Sequence, residues 1–146
     1  HHYYHNKMKN KDWGEPNWQE LILRLKNEYL IIQSKHKKSK KYKGVFYSSI
    51  DFDFRTACAI INECDLFLGP EGGFGHVAAA LNKKAVIYFG GWIHPKVTGY
   101  HFHQNIYFNH PNSPCGALGY ICNHCEDARK SITVDGVYTK VNLVFK

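Results

Sequence analysis

The run Leu66-Phe67-Leu68 stops at Gly69-Pro70, and Glu71-Gly72-Gly73-Phe74-Gly75 separates it from His76-Val77-Ala78-Ala79-Ala80-Leu81. A short apolar run reads as a buried strand, and an alanine-rich run of strong formers reads as a helix. Strand, glycine-rich loop and helix in this order constrain the fold more than any other stretch of the chain. The loop exposes backbone N–H groups at the positively polarised end of a helix, an arrangement that suits a phosphate.

The rest of the chain repeats the alternation. Trp18, Leu21, Ile22 and Leu25 recur at helical spacing, predicting a helix over residues 18–28. Residues 29–32 then read as a buried strand and residues 44–47 as a second. A helix is expected over residues 54–63 with Ala57, Ile60 and Ile61 inward, and strands over 66–68, 85–89 and 106–108. Residues 92–104 read as a functional loop without regular structure, and residues 109–125 as a Pro/Gly/Cys-rich loop. A helix is expected from about Cys125 and another from Val134 to the end. Short continuous apolar strands between helices indicate an α/β fold, a Rossmann-like parallel sheet with helices on both faces. Ligands of such sheets sit at the carboxyl ends of the strands. Residues 48–52, 69–75 and 90–93 lie at such ends.

A length of 146 residues fits a single domain with a real core, and 44% hydrophobic content excludes a disordered chain. No apolar run is long enough to span a membrane, and the first residues carry no apolar signal region. The five cysteines are then expected as reduced thiols of a cytoplasmic protein, with a membrane-peripheral placement left open. Cys115, Cys122 and Cys125 form C-x6-C-x2-C with His124 inside it, and His101, His103 and His110 lie upstream. A structural zinc site, free thiols and a disulfide are all compatible with that spacing, and no metal ligand is assigned. Net charge is +7, and Lys35, Lys37, Lys38, Lys40, Lys41 and Lys43 crowd one segment with His36. An anionic partner and a solvated loop are the two readings of that segment. The loop is favoured and nucleic acid is not expected, because no arginine or stacking aromatic is interleaved as single-strand binding would need.

The segment from Cys64-Asp65-Leu66 through Glu71-Gly72-Gly73, His76 and the alanine helix to Ala85-Val86-Ile87-Tyr88-Phe89-Gly90 resembles glycosyltransferase family 9, the heptosyltransferase-like group. Asn10-Lys11-Asp12-Trp13 followed by Trp18-Gln19-Glu20-Leu21 is similar to the family's Lys-x-Trp turn and the helix that opens its second domain. The likeness covers about residues 7–108. It departs at Glu71-Gly72-Gly73, where the family has Asp then Ser or Thr. It departs again at Gln33-Ser34-Lys35-His36, where better-known members have a Gly-rich turn with an acidic residue. The resemblance implies one half of a two-domain GT-B enzyme, the half that holds a nucleoside-diphosphate sugar. A missing N-terminal half would supply the glycan-acceptor contacts and the base. No catalytic residue and no cofactor is therefore expected in residues 1–146.

On this reading Lys11, Gly69, Pro70, Glu71, Gly72, Gly73, Phe74, Gly75 and His76 form the donor-phosphate site. A cation such as Lys11 lowers the barrier by meeting the charge of the leaving diphosphate. Glu71, repelled by phosphate, is assigned to sugar hydroxyls or to capping the loop's own N–H groups. His76 is open between a phosphate contact, a neutral hydrogen-bond donor and a packed core residue. Gly91, Trp92, Lys96 and Tyr100 are read either as a loop touching the donor or as a packed connection. Two alternatives to transfer remain: a non-catalytic nucleotide-binding module and a nucleotide-sugar epimerase-like domain. A zinc-stabilised nucleic-acid binder is a further one.

Overall fold

A computed structural model describes residues 9–34, 40–47, 53–116 and 122–146. Residues 48–52, and Lys35, His36, Lys37 and Lys38 of the lysine-rich segment, lie outside the described residues. A short 3-10 turn, Lys9–Lys11, leads into α1, Glu15–Leu25. The strands β1, Ile32–Gln33, and β2, Phe46–Tyr47, pair in parallel, with Ile32 opposite Phe46. Then come α2, Phe54–Glu63; β3, Leu66–Pro70; α3, Gly73–Ala80; and β4, Lys84–Tyr88. The chain continues through α4, Pro95–Thr98; β5, Gln104–Ile106; α5, Asn123–Ser131; and α6, Val134–Val144.

Three strands form a parallel sheet in the order β3-β4-β5, with Leu68 opposite Val86 and Tyr88 opposite Ile106. Side chains alternate across a strand, so β4, the middle strand, feeds two cores. Val86 and Tyr88 join Trp13, Leu21 and Leu25 of the α1 side with Val137 and Val141 of α6. Ala85 and Ile87 join Ile61 of α2 and Ala78 of α3 on the other face. This is the α/β, Rossmann-like arrangement with helices on both faces.

Element boundaries differ from the sequence reading in physically simple ways. Helix α1 begins three residues early, because Gly14 at φ 96° serves as its cap and Pro16 fits the first turn. Residues 29–32 are not a buried strand: Leu30 is 82% exposed, while Tyr29 and Ile31 pack on the first core. The segment therefore has one buried edge and one wet edge, as an alternating strand does. β3 runs on through Pro70, which is tolerated because β3 is an outer strand of this sheet. Residues 92–104 contain a short helix, α4, whose first turn is capped by His94 Nδ1 accepting from the Lys96 N–H at 3.0 Å. The last strand ends at Ile106 instead of running to Phe108.

The described end of the lysine segment is held down rather than freely solvated. The Gln19 side chain brackets Lys43 with hydrogen bonds of 3.0 and 2.8 Å to its backbone. Gln33 binds the Lys40 carbonyl and the Tyr42 N–H, and Tyr42 is buried. Lys40 itself pairs with Glu15 at 2.5 Å.

Candidate functional site

The glycine loop stands at the carboxyl ends of β3 and β4. Its anchor is a hydrogen bond of 2.8 Å from the Glu71 N–H to the Tyr88 carbonyl. Gly72 then takes φ 146°, a conformation that a side chain would strain, and α3 starts at Gly73 without a side-chain cap. A Cβ built on Gly72 or Gly73 meets nothing within 4 Å, so the loop faces open space. Behind it, Gly75 lies against Ile87 and the Phe74 ring stacks on Phe54 with centroids 5.8 Å apart. Gly69 and Pro70 belong to β3 and set the loop's root against Ile87 and Tyr88.

Lys11 reaches this loop because Trp13 is fixed. The Trp13 ring is almost wholly buried, donates Nε1–H to the Ile132 carbonyl at 2.8 Å, and packs edge-on against Trp18. Two residues upstream, the Lys11 ammonium lies 2.5 Å from Glu71 Oε1 and 4.2 Å from the centroid of the Trp92 ring. The contact is an ion pair, and the face of the Trp92 ring gives the ammonium its second support. Lys11, Glu71 and Trp92 are thus one group. His76 Nδ1 and the Tyr100 hydroxyl, 2.9 Å apart, form a second at the outer side of α3. Lys96 stands exposed on α4, outside both groups.

A small pocket of about 10 Å³ opens between the first turn of α3 and the β4–β5 connection. Glu71, Gly72, Thr98, Tyr100, His103 and Asn105 are among its lining residues. Thr98 Oγ1, His103 Nε2 and Asn105 Oδ1 are buried there with no hydrogen-bond partner among the described residues. Burial holds the His103 pKa below the ordinary histidine range. Its room matches one water molecule, which can donate to or accept from these groups. Sequence reasoning gave His103 and Asn105 no role at the loop, and it took Thr98 only as part of the crowded segment 92–100. His103 was grouped with the cysteines, yet it belongs to this pocket. The only sequence signal was the crowding of polar groups in residues 92–104.

The cysteines gather on the other side of Gly91. Cys115 and Cys122 each place Sγ 3.2 Å from Cys125 Sγ, and His124 Nε2 lies 3.4 Å from Cys122 Sγ. The four ligand atoms all lie within 4.8 Å of one another. A disulfide, with sulfurs about 2.05 Å apart, is not what brings them together. Burial pushes the Cys125 thiol up. At Cys122 burial also acts upward, but hydrogen bonds from Cys125 and Cys115 outweigh it and lower the pKa. His110 stacks beside His124 at 5.7 Å, its Nε2 3.9 Å from Asp127. Three sulfurs and one imidazole at these separations match the donor set of a tetrahedral zinc or iron site, whose ligand atoms stand about 3.8 Å apart.

A parallel sheet with helices on both faces, carrying an uncapped glycine loop and a lysine at its strand ends, defines a Rossmann-like domain. The sequence model of glycosyltransferase family 9 (heptosyltransferase) matches residues 4–119. The chain belongs to that family. No curated protein sequence matches it. Among solved structures it is similar in fold to the bacterial iron-containing dodecameric glycosyltransferase TibC from enterotoxigenic E. coli H10407, with a TM-score of 0.74 at 16% identity. The match covers 94% of this chain and 42% of TibC, so the chain spans less than half the length of that protein.

Proposed function

We propose that this chain is the donor-binding half of a glycosyltransferase that moves a sugar from a nucleoside diphosphate to a glycan acceptor. The observation that carries the reading is the placement of Lys11 beside an uncapped helix end whose loop faces open space. The diphosphate would lie on the N–H groups at the start of α3, within reach of the Lys11 ammonium. As the acceptor hydroxyl attacks the anomeric carbon, the bond to the diphosphate breaks and its electron pair leaves on phosphate oxygen. Loop N–H groups, the helix end and Lys11 stabilise that charge without reorganising, which is the main contribution such a site makes. In this reading Glu71, held by Lys11, accepts hydrogen bonds from donor-sugar hydroxyls. We assign the acceptor contacts and the base to a second half-domain, and the compartment to the cytoplasm. Neither a nucleic acid nor an organic cofactor has a part in this scheme.

The test is a thermal-shift and calorimetric screen with ADP, GDP, UDP and their sugars. A nucleotide at a hundredfold excess over Kd should stabilise wild type by about 2.7 kcal/mol. Lys11→Ala should respond less. Equal responses from both proteins would refute the assignment of the phosphate site to this loop.

A second reading concerns the cysteines. Cys115, Cys122, His124 and Cys125 form a structural metal centre, a reading favoured by their convergence and by the iron content of TibC. The metal would supply folding energy by tying the loop before α5 to that helix, and it would make no contact with the reacting groups. Elemental analysis of the purified protein should find about one zinc or iron per chain. A metal-free protein with the same melting temperature after chelation would exclude the centre.

A further inference from the structure

Residues Gly90, Gly91 and Trp92 touch the two halves of this picture at once. A Cβ on Gly90 would lie 2.2 Å from the Asn10 carbonyl oxygen and 3.4 Å from Lys11 Cα, so Gly90 rests on the backbone that carries Lys11. A Cβ on Gly91 would lie 2.9 Å from Cys125 Cα and 3.1 Å from its Sγ, so Gly91 rests on the cysteine cluster. The Gly91 carbonyl accepts from the Cys115 N–H at 3.1 Å and from Ser113 Oγ at 2.7 Å. The Trp92 carbonyl accepts from the Gly116 N–H at 3.1 Å, and the Trp92 ring carries the Lys11 ammonium.

We propose that this tripeptide is a mechanical link through which the cysteine centre positions Lys11 at the donor loop, so that metal occupancy sets diphosphate affinity. The inference rests on both readings above and adds the coupling between them. A bound metal fixes Cys115 relative to Cys125, and these two residues flank Gly91. Glycine at 90 and 91 lets backbone press on backbone on both sides, so a shift at Cys125 has no side chain to absorb it. Trp92 follows in sequence, and its ring face is one of the two supports of the ammonium. A charge-assisted hydrogen bond needs the Lys11 ammonium about 2.7–2.9 Å from a phosphate oxygen, so a small displacement weakens it. Gly91 and Trp92 are positioning residues here and need not touch the donor.

The experiment is a coupling cycle on the whole protein. Metal content is measured by mass spectrometry, and ADP, GDP and UDP are titrated into metal-loaded and chelator-stripped forms of wild type and Lys11→Ala. Stripping should weaken the nucleotide that binds by about tenfold in wild type, the loss of one hydrogen bond to a charged group, and by less than twofold in Lys11→Ala. In the loaded protein, Trp92→Leu should produce the same tenfold loss with metal content unchanged, add nothing to Lys11→Ala, and be rescued by Trp92→Phe, which keeps an aromatic face. These loaded variants decide the matter where stripping unfolds the chain. Equal losses in wild type and Lys11→Ala, or full affinity in Trp92→Leu, would overturn the link. Protein that binds no metal overturns the metal reading and the link with it. Loaded protein that binds metal but no nucleotide overturns the donor reading instead.

Discussion

Gly73→Ala separates what the loop does for folding from what it does for a ligand. Gly73 is the first residue of α3, its φ lies outside the left-handed region, and an added Cβ meets nothing within 4 Å. The substitution therefore removes unfolded-state freedom without a native clash, which stabilises by about 0.4–1 kcal/mol. For a chain of this size that is a rise of roughly 1–4 °C in Tm. The same methyl group stands where a diphosphate would meet the helix N–H groups. Losing one hydrogen bond to a charged group costs about 1.5–3 kcal/mol, or ten- to hundredfold in Kd. At a nucleotide concentration one hundred times the wild-type Kd, the ligand's contribution drops from about 2.7 kcal/mol to about 1.4 for a tenfold loss and about 0.4 for a hundredfold loss. Differential scanning fluorimetry with and without the nucleotide reads both numbers in one plate. The expected pattern is a higher Tm without ligand and a ligand shift cut by half or more. Gly72→Ala supplies the contrast, because φ 146° there is strained for any side chain and the apo Tm should fall. A more stable Gly73→Ala that keeps its whole ligand shift would refute the cradle, since no phosphate would then approach that backbone.

Glu71→Gln removes the buried charge beside Lys11 and keeps the shape. Calorimetry should show the bare nucleoside diphosphate binding at least as tightly, and the extra affinity of the nucleotide sugar lost; an unchanged sugar increment would take Glu71 out of sugar recognition. Trp13→Phe deletes the Nε1–H bond to the Ile132 carbonyl, and urea unfolding should show a loss of about 1–3 kcal/mol. His103 has a pKa below its unfolded value, so the unfolded chain binds the extra proton first. Its contribution to stability is whole above the ordinary histidine pKa and is lost as pH falls through that value toward the folded one. Melts between pH 7 and pH 4.5 should therefore show an acid-side decline that His103→Asn reduces; an identical decline in the variant would place the titration elsewhere.

The fold was legible where periodicity carried it. β4 was readable from Ala85-Val86-Ile87-Tyr88-Phe89, because a strand buried on both faces is apolar at every position. The same logic failed at residues 29–32, where an equally apolar run has Leu30 in water. Periodicity tells apolar from polar, but it does not tell a middle strand from one paired outside the main sheet. The helix α3 was readable from its alanines, but its start was not: Gly73, Phe74 and Gly75, read as loop, form its first turn. Lys11 entered through the resemblance, since one lysine among many carries no local signal. His103, Thr98 and Asn105 were not readable as a group, because their proximity is made by α4 and the turn after it.

The cysteine cluster marks the deeper limit. Spacing left zinc, free thiols and a disulfide open, because a C-x6-C-x2-C run fixes no distance between its first and last members. What decides the geometry is the cap of α5: Cys122 is its N-cap residue, so Cys125 sits one turn along, and Cys115 is returned to both by its N–H bond to the Gly91 carbonyl. Gly91 rests on Cys125, while its neighbours Gly90 and Trp92 meet the Lys11 backbone and ammonium. In the proposed link, a shift of Gly91 at the cysteines therefore reaches Lys11 through the residues bonded to it. The link also predicts where Gly91→Ala fails: the methyl must displace Cys125, so metal content and diphosphate affinity should fall together, and a variant that loses one alone would show the two contacts to be independent.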